Sequence, residues 1–313
     1  MIAGEQINIT ELMRRRLKRR LMLMRAGAAV FFVLSCIIAV RHFSGGEHDR
    51  HLVLLKIHGT IASDVSLQTR ALAKAQADPL VAGLILDVDS PGGAVAGGEA
   101  LHDAVARFEA VKPVVVTMGG TAASAGYMIS VPARRIFASR STLTGSIGVM
   151  LQSPDISGLL GKLGISVDLL VSGPLKAQPS LVQSLSPAGR EMLQGIVTDL
   201  YDQFITMVSD GRHMPLEAVR KLADGRPYTG AQALKLGLID QIGDSDDARK
   251  WLLKAGSLPE QTRVEEIGGV VRPIGLVPRI IYFLTGNNSQ GSVLSFLPQA
   301  ISAVDGTVSI WEP

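Results

Sequence analysis

Cysteine is almost missing from this chain. Its 313 residues hold one, Cys36, which excludes an intrachain disulfide framework and a thiolate metal cluster. Aromatic residues make up 4%, too few for the stacking platforms of a single-strand nucleic-acid binder. The six histidines (His42, His48, His51, His58, His102 and His213) form no HExxH and no other close ligand pair, so no metal site is expected. His48 and His51 read as solvated residues of a polar linker. There is no GxxxxGK[ST] phosphate loop. The glycines of "GGAVAGG" (92–98) lack the GxGxxG spacing of a dinucleotide turn. No G-x-S-x-G elbow surrounds any serine. No cofactor is expected.

Acidic excess is missing as well, but the basic character is local. Of 31 basic and 28 acidic residues, seven basic and two acidic lie in the first 25 positions, leaving 24 and 26 for the rest. The body of the protein is therefore no polyanion binder. The basic block (Arg14, Arg15, Arg16, Lys18, Arg19, Arg20, Arg25) precedes the apolar run "RAGAAVFFVLSCIIAV" (25–40). "LMLM" before Arg25 lengthens that run toward the roughly 20 residues a membrane helix needs, with Arg25 snorkelling to the head groups. Basic residues ahead of an apolar run hold the N-terminus in the cytoplasm. The expectation is a basic cytoplasmic segment (1–25), a signal anchor (21–41) and a polar linker (42–50). A cleaved signal peptide is the other reading, but no small-x-small cleavage site follows Val40.

Beyond the linker, strand-like and helix-like segments alternate. Strands are expected at 51–61, 81–90, 112–118, 134–139 and 165–173. Helices are expected at 66–78 and from Ala94 to Ala110. A long helix is expected to open with Ser186 as N-cap and Pro187 in first position. Such alternation predicts an α/β fold with a largely parallel sheet and crossover helices. The tail, 256–313, is apolar in part but broken by Arg272, Pro273, Pro278, Arg279 and Gly286. It reads as a docking, membrane-facing or unstructured segment of unknown role.

The residues suited to chemistry are few. "MGGTAASAGYMIS" (118–130) leaves a valine-rich strand through a patch nearly bare of side chains. Ser124 lies where strand gives way to helix, near amides that favour developing negative charge. It reads equally as an N-cap serine. "DVDSPGGAV" (87–95) offers bare amides at Gly92 and Gly93 at the end of another buried strand. In a parallel sheet both turns fall at the strand C-terminal edge, where open α/β sheets build sites. A serine needs a base. A lysine serves where desolvation lowers its pKa from about 10.4 toward neutrality. Lys176, between Leu175 and Ala177 in "LLVSGPLKAQPS", has no acid nearer in sequence than Asp168. It reads otherwise as an ordinary loop lysine.

Five segments in fixed order, "SPGG" (90–93), "GGTAASAGYMIS" (119–130), "TGSIGVM" (144–150), "SGPLKAQPS" (172–180) and "GRPYTGAQALKLGLIDQIG" (225–243), resemble the signal peptide peptidase A family. Its members are bacterial and archaeal membrane-anchored serine peptidases related in fold to Clp protease and the crotonases. The resemblance covers roughly residues 50–255 and matches the short, single-repeat forms. It implies a Clp/crotonase-like peptidase domain over 51–255. By position it makes Ser124 the nucleophile and Lys176 the general base. Ser146 would be a serine that orients the lysine, and the Gly93 and Ala125 amides the oxyanion hole. Other members often carry Gly where this chain has Ala125, and Asn where it has Asp89. The resemblance further implies a homo-oligomeric ring with serine and lysine from adjacent subunits. Its substrates would be apolar peptides such as released signal peptides, met on the extracytoplasmic side of the inner membrane. Two alternatives stand beside it: a crotonase-like acyl-CoA enzyme and a non-catalytic membrane scaffold.

Overall fold

The computed structural model describes residues 50–268 together with 18, 20–22, 24, 25 and 27–36. The chain divides into two units, Met1–Arg50 and His51–Pro313. In the first, residues 27–36 are helical and carry exposed apolar side chains, among them Phe31 and Phe32. Among the described residues no helix is long and apolar enough to cross a membrane. The anchor expected at 21–41 lies partly outside those residues, and the tail beyond residue 268 wholly so.

The second unit is a mixed α/β domain around one mostly parallel sheet. Strand β1 (His51–His58) pairs with β2 (Val81–Ser90), and β2 with β3 (Val114–Ala123). Two crossover helices, α1 (Ser66–Ala77) and α2 (Val95–Glu109), make these pairings parallel. Beyond β3 lie β4 (Arg135–Ala138) and β5 (Leu143–Gly145), both parallel to it. Strand β6 (Pro227–Thr229) pairs with β5 and is the antiparallel member, while β7 (Gln241–Ile242) adds to β4.

Period-two alternation sends successive side chains of each central strand to opposite faces, and both faces are covered. On one, Val53, Leu55, Leu84, Leu86, Val114 and Val116 pack with Leu72, Leu101 and Phe108 of the crossover helices. The same core includes Phe204 and Val208 of the long helix α5 (Pro187–Arg212). On the other, Leu52, Ile85, Val115 and Phe137 meet Ala248, Leu252 and Leu253 of α8 (Ser245–Ala255). Helix α5 begins as expected. The Ser186 hydroxyl accepts the Gly189 N–H at 3.0 Å with Pro187 in the first turn. The remaining helices are short: α3 (Ala125–Met128), α4 (Ser157–Lys162), α6 (Leu216–Leu222) and α7 (Gly230–Lys235).

Several features differ from the sequence reading. His51, read as a solvated linker residue, is buried as the first residue of β1, and β1 ends at His58 rather than at 61. Strand β3 runs on through Gly119 and Gly120 to Ala123 rather than stopping at Met118. A Cβ on Gly119 would lie 2.9 Å from the Asp89 side chain, whose carboxylate accepts the Thr121 N–H at 3.0 Å. The glycine lets the neighbouring strand's carboxylate lie across the strand, and β3 changes partner there from β4 to β5. The strand expected at 165–173 does not form. Residues 165–171 are irregular and Leu170 is 96% exposed. They pair with no strand among the described residues, and alternation without a ladder partner does not hold a strand. Lastly, the sheet extends past residue 255, for β8 (Val264–Ile267) pairs parallel with β1.

Candidate active site

Ser124 stands at the end of β3 and is the residue preceding α3. Its backbone has φ 54 and ψ −123, a region that side-chain-bearing residues rarely occupy. Three contacts hold it there. Its N–H donates to the Gly145 carbonyl at 2.8 Å, and its own carbonyl accepts the Met128 N–H at 2.9 Å. Beside it, Gly92 has φ 110, and a Cβ on that residue would come within 2.7 Å of the Ser124 Cβ. The Ser124 hydroxyl makes no cap hydrogen bond to α3. The N-cap explanation of this serine therefore fails: the hydroxyl is not spent on the helix.

The turn after β2 supplies the facing wall. The Ser90 hydroxyl, fully buried, accepts the Gly92 N–H at 3.1 Å and fixes the turn. Gly93 bridges to Ile61: a Cβ there would lie 2.1 Å from the Ile61 carbonyl oxygen. The Ile61 N–H and carbonyl are engaged by the Gly92 carbonyl and the Ala94 N–H. The Gly93 N–H itself makes no hydrogen bond among the described residues. The Ala125 amide, first in α3, has no intrahelical acceptor by position. Two donors thus lie beside an uncommitted hydroxyl.

The small residues of 122–126 also serve packing. A Cβ on Gly126 would meet the Ser90 carbonyl oxygen at 2.8 Å, and one on Gly98 would meet the Ala125 Cβ at 2.9 Å. Both readings of this stretch hold together. The backbones close up so that α3 seats on β2 and α2, and this seating presents Ser124. Ser130 is structural, for its buried hydroxyl donates to the Gly126 carbonyl at 2.7 Å. Tyr127 is fully buried and its hydroxyl donates to the Leu238 carbonyl at 2.9 Å. Nearby, Arg212 grips Asp240 with both terminal nitrogens, at 3.1 and 2.6 Å. A third Asp240 hydrogen bond, from the Ile136 N–H, ties this loop to β4.

Ser146 follows Gly145 directly and is also at positive φ, 48. Its hydroxyl donates to the Gly225 carbonyl at 3.1 Å and its N–H to the Arg226 carbonyl at 3.1 Å. Lys176 lies elsewhere in character. It is exposed, in a turn where its N–H donates to the Gly173 carbonyl at 3.1 Å. Its ammonium has no hydrogen bond or ion pair among the described residues, so none joins it to Ser124 or Ser146 in this chain. The segment carrying it, 150–185, exposes Met150, Leu159, Leu163, Leu170 and Leu181. The fold therefore brings Ser124, Gly93 and Ala125 together, with Ser146 one hydrogen-bonded step away. Lys176 is exposed and hydrogen-bonds to none of them. Among the described residues no cluster of His, Cys, Asp or Glu suits a metal ion.

Comparison with known proteins adds the chemistry to this geometry. The model of "Peptidase family S49" matches residues 106–258. A Synechocystis sp. protein provisionally named a protease is 34% identical over 242 residues, covering 77% of this chain and 85% of its own. The chain belongs to peptidase family S49. A second relative of the S49 chain, from Enterococcus faecium and provisionally named signal peptide peptidase SppA, is 37% identical over 233 residues. That match covers 70% of this chain and 68% of the relative. Protease 4 of Salmonella typhi is 36% identical over 249 residues, 79% of this chain but 38% of that longer protein. The Clp protease model also matches, over residues 48–159, the part that holds β1 to β5. The protein is thus a serine peptidase of S49 with an α/β fold.

The sequence pointed to Ser124 and the Gly92–Gly93 turn but carried no sign of what holds them. The Gly145 carbonyl that pins Ser124 had no visible signal, because a backbone acceptor carries no side-chain signature. Tyr228, whose ring packs against Gly145, lies in the segment "GRPYTG", which the sequence marks only through its family likeness.

Proposed function

We propose that this S49 peptidase is a membrane-anchored endopeptidase in which Ser124 and Lys176 form the catalytic dyad. Lys176 takes the Ser124 proton, and the Ser124 oxygen attacks the peptide carbonyl. The tetrahedral oxyanion is held by the Gly93 and Ala125 amides. Collapse expels the amine with the proton returned from Lys176, and water then hydrolyses the acyl-enzyme. The observation that carries this reading is the Ser124 hydroxyl, held at φ 54 beside unpaired amides and not used as a helix cap.

The lack of any hydrogen bond between Lys176 and Ser124 within one chain fits a dyad completed by a neighbouring subunit in a homo-oligomeric ring. The exposed apolar side chains of 150–185 are suited to burial in such an interface. Burial there would also strip water from the ammonium, as a lysine base requires. In that assembly Ser146 would turn from Gly225 to orient the incoming lysine. The substrates we assign are apolar peptides, released signal peptides among them. The basic block and apolar run of residues 14–40 support an inner-membrane anchor with the catalytic domain on the extracytoplasmic side.

The test is cleavage of an apolar, signal-peptide-like substrate by the full chain and by Ser124→Ala and Lys176→Ala, each shown to assemble as the wild type does. Both variants should lose activity by at least about 10³-fold, the scale of losing one member of a serine catalytic unit. Wild-type turnover in either one would rule the dyad out.

A further inference from the structure

We propose that Tyr228 is a positioning residue for the nucleophile, acting through Gly145. This rests on Ser124 being the nucleophile. Ser124 occupies costly backbone space, and such a conformation persists only where its surroundings over-determine it. Its N–H acceptor is the Gly145 carbonyl, and Gly145 itself has φ 74. What meets Gly145 is the edge of the Tyr228 ring: a Cβ on the glycine would lie 2.7 Å from Tyr228 Cδ2 and 3.4 Å from Cε2. No side chain fits between this ring edge and the backbone, so the edge is the stop against which the glycine rests.

The ring is itself held from several directions. Tyr228 is 9% exposed, and its hydroxyl donates to the Leu222 carbonyl at 3.0 Å. Its backbone pairs antiparallel with Thr144, and Pro227 with Gly145. One turn earlier, the Gly225 and Arg226 carbonyls receive the Ser146 hydroxyl and N–H. Arg226 is anchored by its ion pair with Asp224. Residues 222–229 therefore grip Gly145 and Ser146 from both sides. Their grip passes to Ser124 through one hydrogen bond. If the ring edge is withdrawn, the carbonyl follows, and Ser124 relaxes away from the oxyanion donors. Displacements near 1 Å cost on the order of 10²-fold in rate.

The ring edge, rather than the hydroxyl, is the element assigned. Tyr228→Phe keeps the Cδ2–Cε2 edge and loses the bond to Leu222. Tyr228→Leu keeps apolar bulk and loses the rigid ring edge. Both retain a buried apolar side chain and are expected to fold. The full-length variants are compared by the second-order rate of Ser124 labelling with a fluorophosphonate, by KM and kcat on an apolar peptide, and by thermal midpoint. The expected result is labelling within about 3-fold of wild type for Tyr228→Phe. For Tyr228→Leu, labelling and kcat should fall together by about 30-fold or more, with KM within about 3-fold. A double-mutant cycle with Gly145→Ala supplies the second arm. Because the added Cβ collides with the ring, Gly145→Ala should slow labelling less in the Tyr228→Leu background than in the wild type.

Wild-type labelling rates in Tyr228→Leu, additive effects in the cycle, or rates that merely follow the thermal midpoint would each overturn the proposal. Should Tyr228→Leu fail to fold, the Phe variant and Gly145→Ala carry the test, since a Phe as slow as Gly145→Ala would assign the effect to the hydroxyl. If wild-type protein is not labelled at Ser124, the failure lies with the nucleophile and not with Tyr228.

Discussion

Ser124 occupies backbone space that costs a residue of its kind roughly 1–3 kcal/mol, and its hydroxyl does not recover that cost as a helix cap. The neighbours absorb it, Gly92 by leaving room and Gly145 by lending its carbonyl. Gly92→Ala is accordingly expected to inactivate. Its Cβ would sit 2.7 Å from the Ser124 Cβ at a φ of 110 that alanine disfavours. The expected loss in kcat/KM is about 10²-fold or more, from displacement of the nucleophile and its donors. Steady-state kinetics beside a circular-dichroism melt check it, and a folded, fully active variant would show that the turn tolerates movement. The hydroxyl of Ser130, by contrast, is bonded within its own helix turn. Ser130→Ala should leave activity within about 3-fold of wild type, costing only a hydrogen bond of about 1 kcal/mol.

At the scale of elements, the long helix and the segment before it behave differently. Helix α5 is secured by its cap, and Ser186→Ala should cost about 1 kcal/mol. In a domain of this size that lowers the thermal midpoint by about 2–4 °C. The segment 150–185 is secured at its base by Asp155, which accepts the Ser157 N–H at 2.8 Å and the Ser184 hydroxyl at 2.7 Å. Hydrogen bonds from Ser157, then Ser184, hold the Asp155 carboxyl below its ordinary value of 3.8. A carboxylate whose folded pKa is depressed contributes in full above its unfolded value and loses that contribution as pH falls through the folded one. The base of the loop should therefore stay closed at pH 5 and above and open only below the ordinary aspartate range. Hydrogen exchange of residues 150–185 at pH 3 and pH 5 measures this. Asp155→Asn should remove most of the difference.

The same two elements mark how far the sequence could be read. Strands β1 and β2, the crossover helices and the α5 cap were legible because each has a local cause: burial on two faces, helical periodicity, or a serine followed by proline. The extension of β3 to Ala123 was not, since Gly119 and Gly120 look like a strand end until Asp89 is seen lying across them. The alternation of "ISVDLLVSG" misled for the opposite reason, being a strand pattern with no strand beside it. Strand β8 escaped because Val264–Ile267 is short and half acidic, and only its place against β1 makes it a strand. At the site, residue types pointed to Ser124 and the Gly92–Gly93 turn. The grip of residues 222–229 is made of backbone carbonyls and one ring edge, which no spacing reveals.

For the whole molecule, a dyad that the single chain does not join by a hydrogen bond has a direct consequence. If the dyad forms between subunits, a monomer has no base. Mixing inactive Ser124→Ala and Lys176→Ala chains should then restore part of the activity, because some interfaces unite an intact serine with an intact lysine. Native mass spectrometry shows whether mixed assemblies form. Mixed assemblies without activity would count against the intersubunit dyad. Dilution should likewise lower specific activity as assemblies dissociate.

The central claim is that Ser124, in its strained turn, is the nucleophile. Intact-mass analysis of the full chain after reaction with a fluorophosphonate, followed by peptide mapping, tests it most directly. One adduct on Ser124, lost in Ser124→Ala and greatly slowed in Lys176→Ala, is the predicted result. An adduct on another serine that accompanies loss of peptidase activity, with Ser124 unmodified, would contradict it.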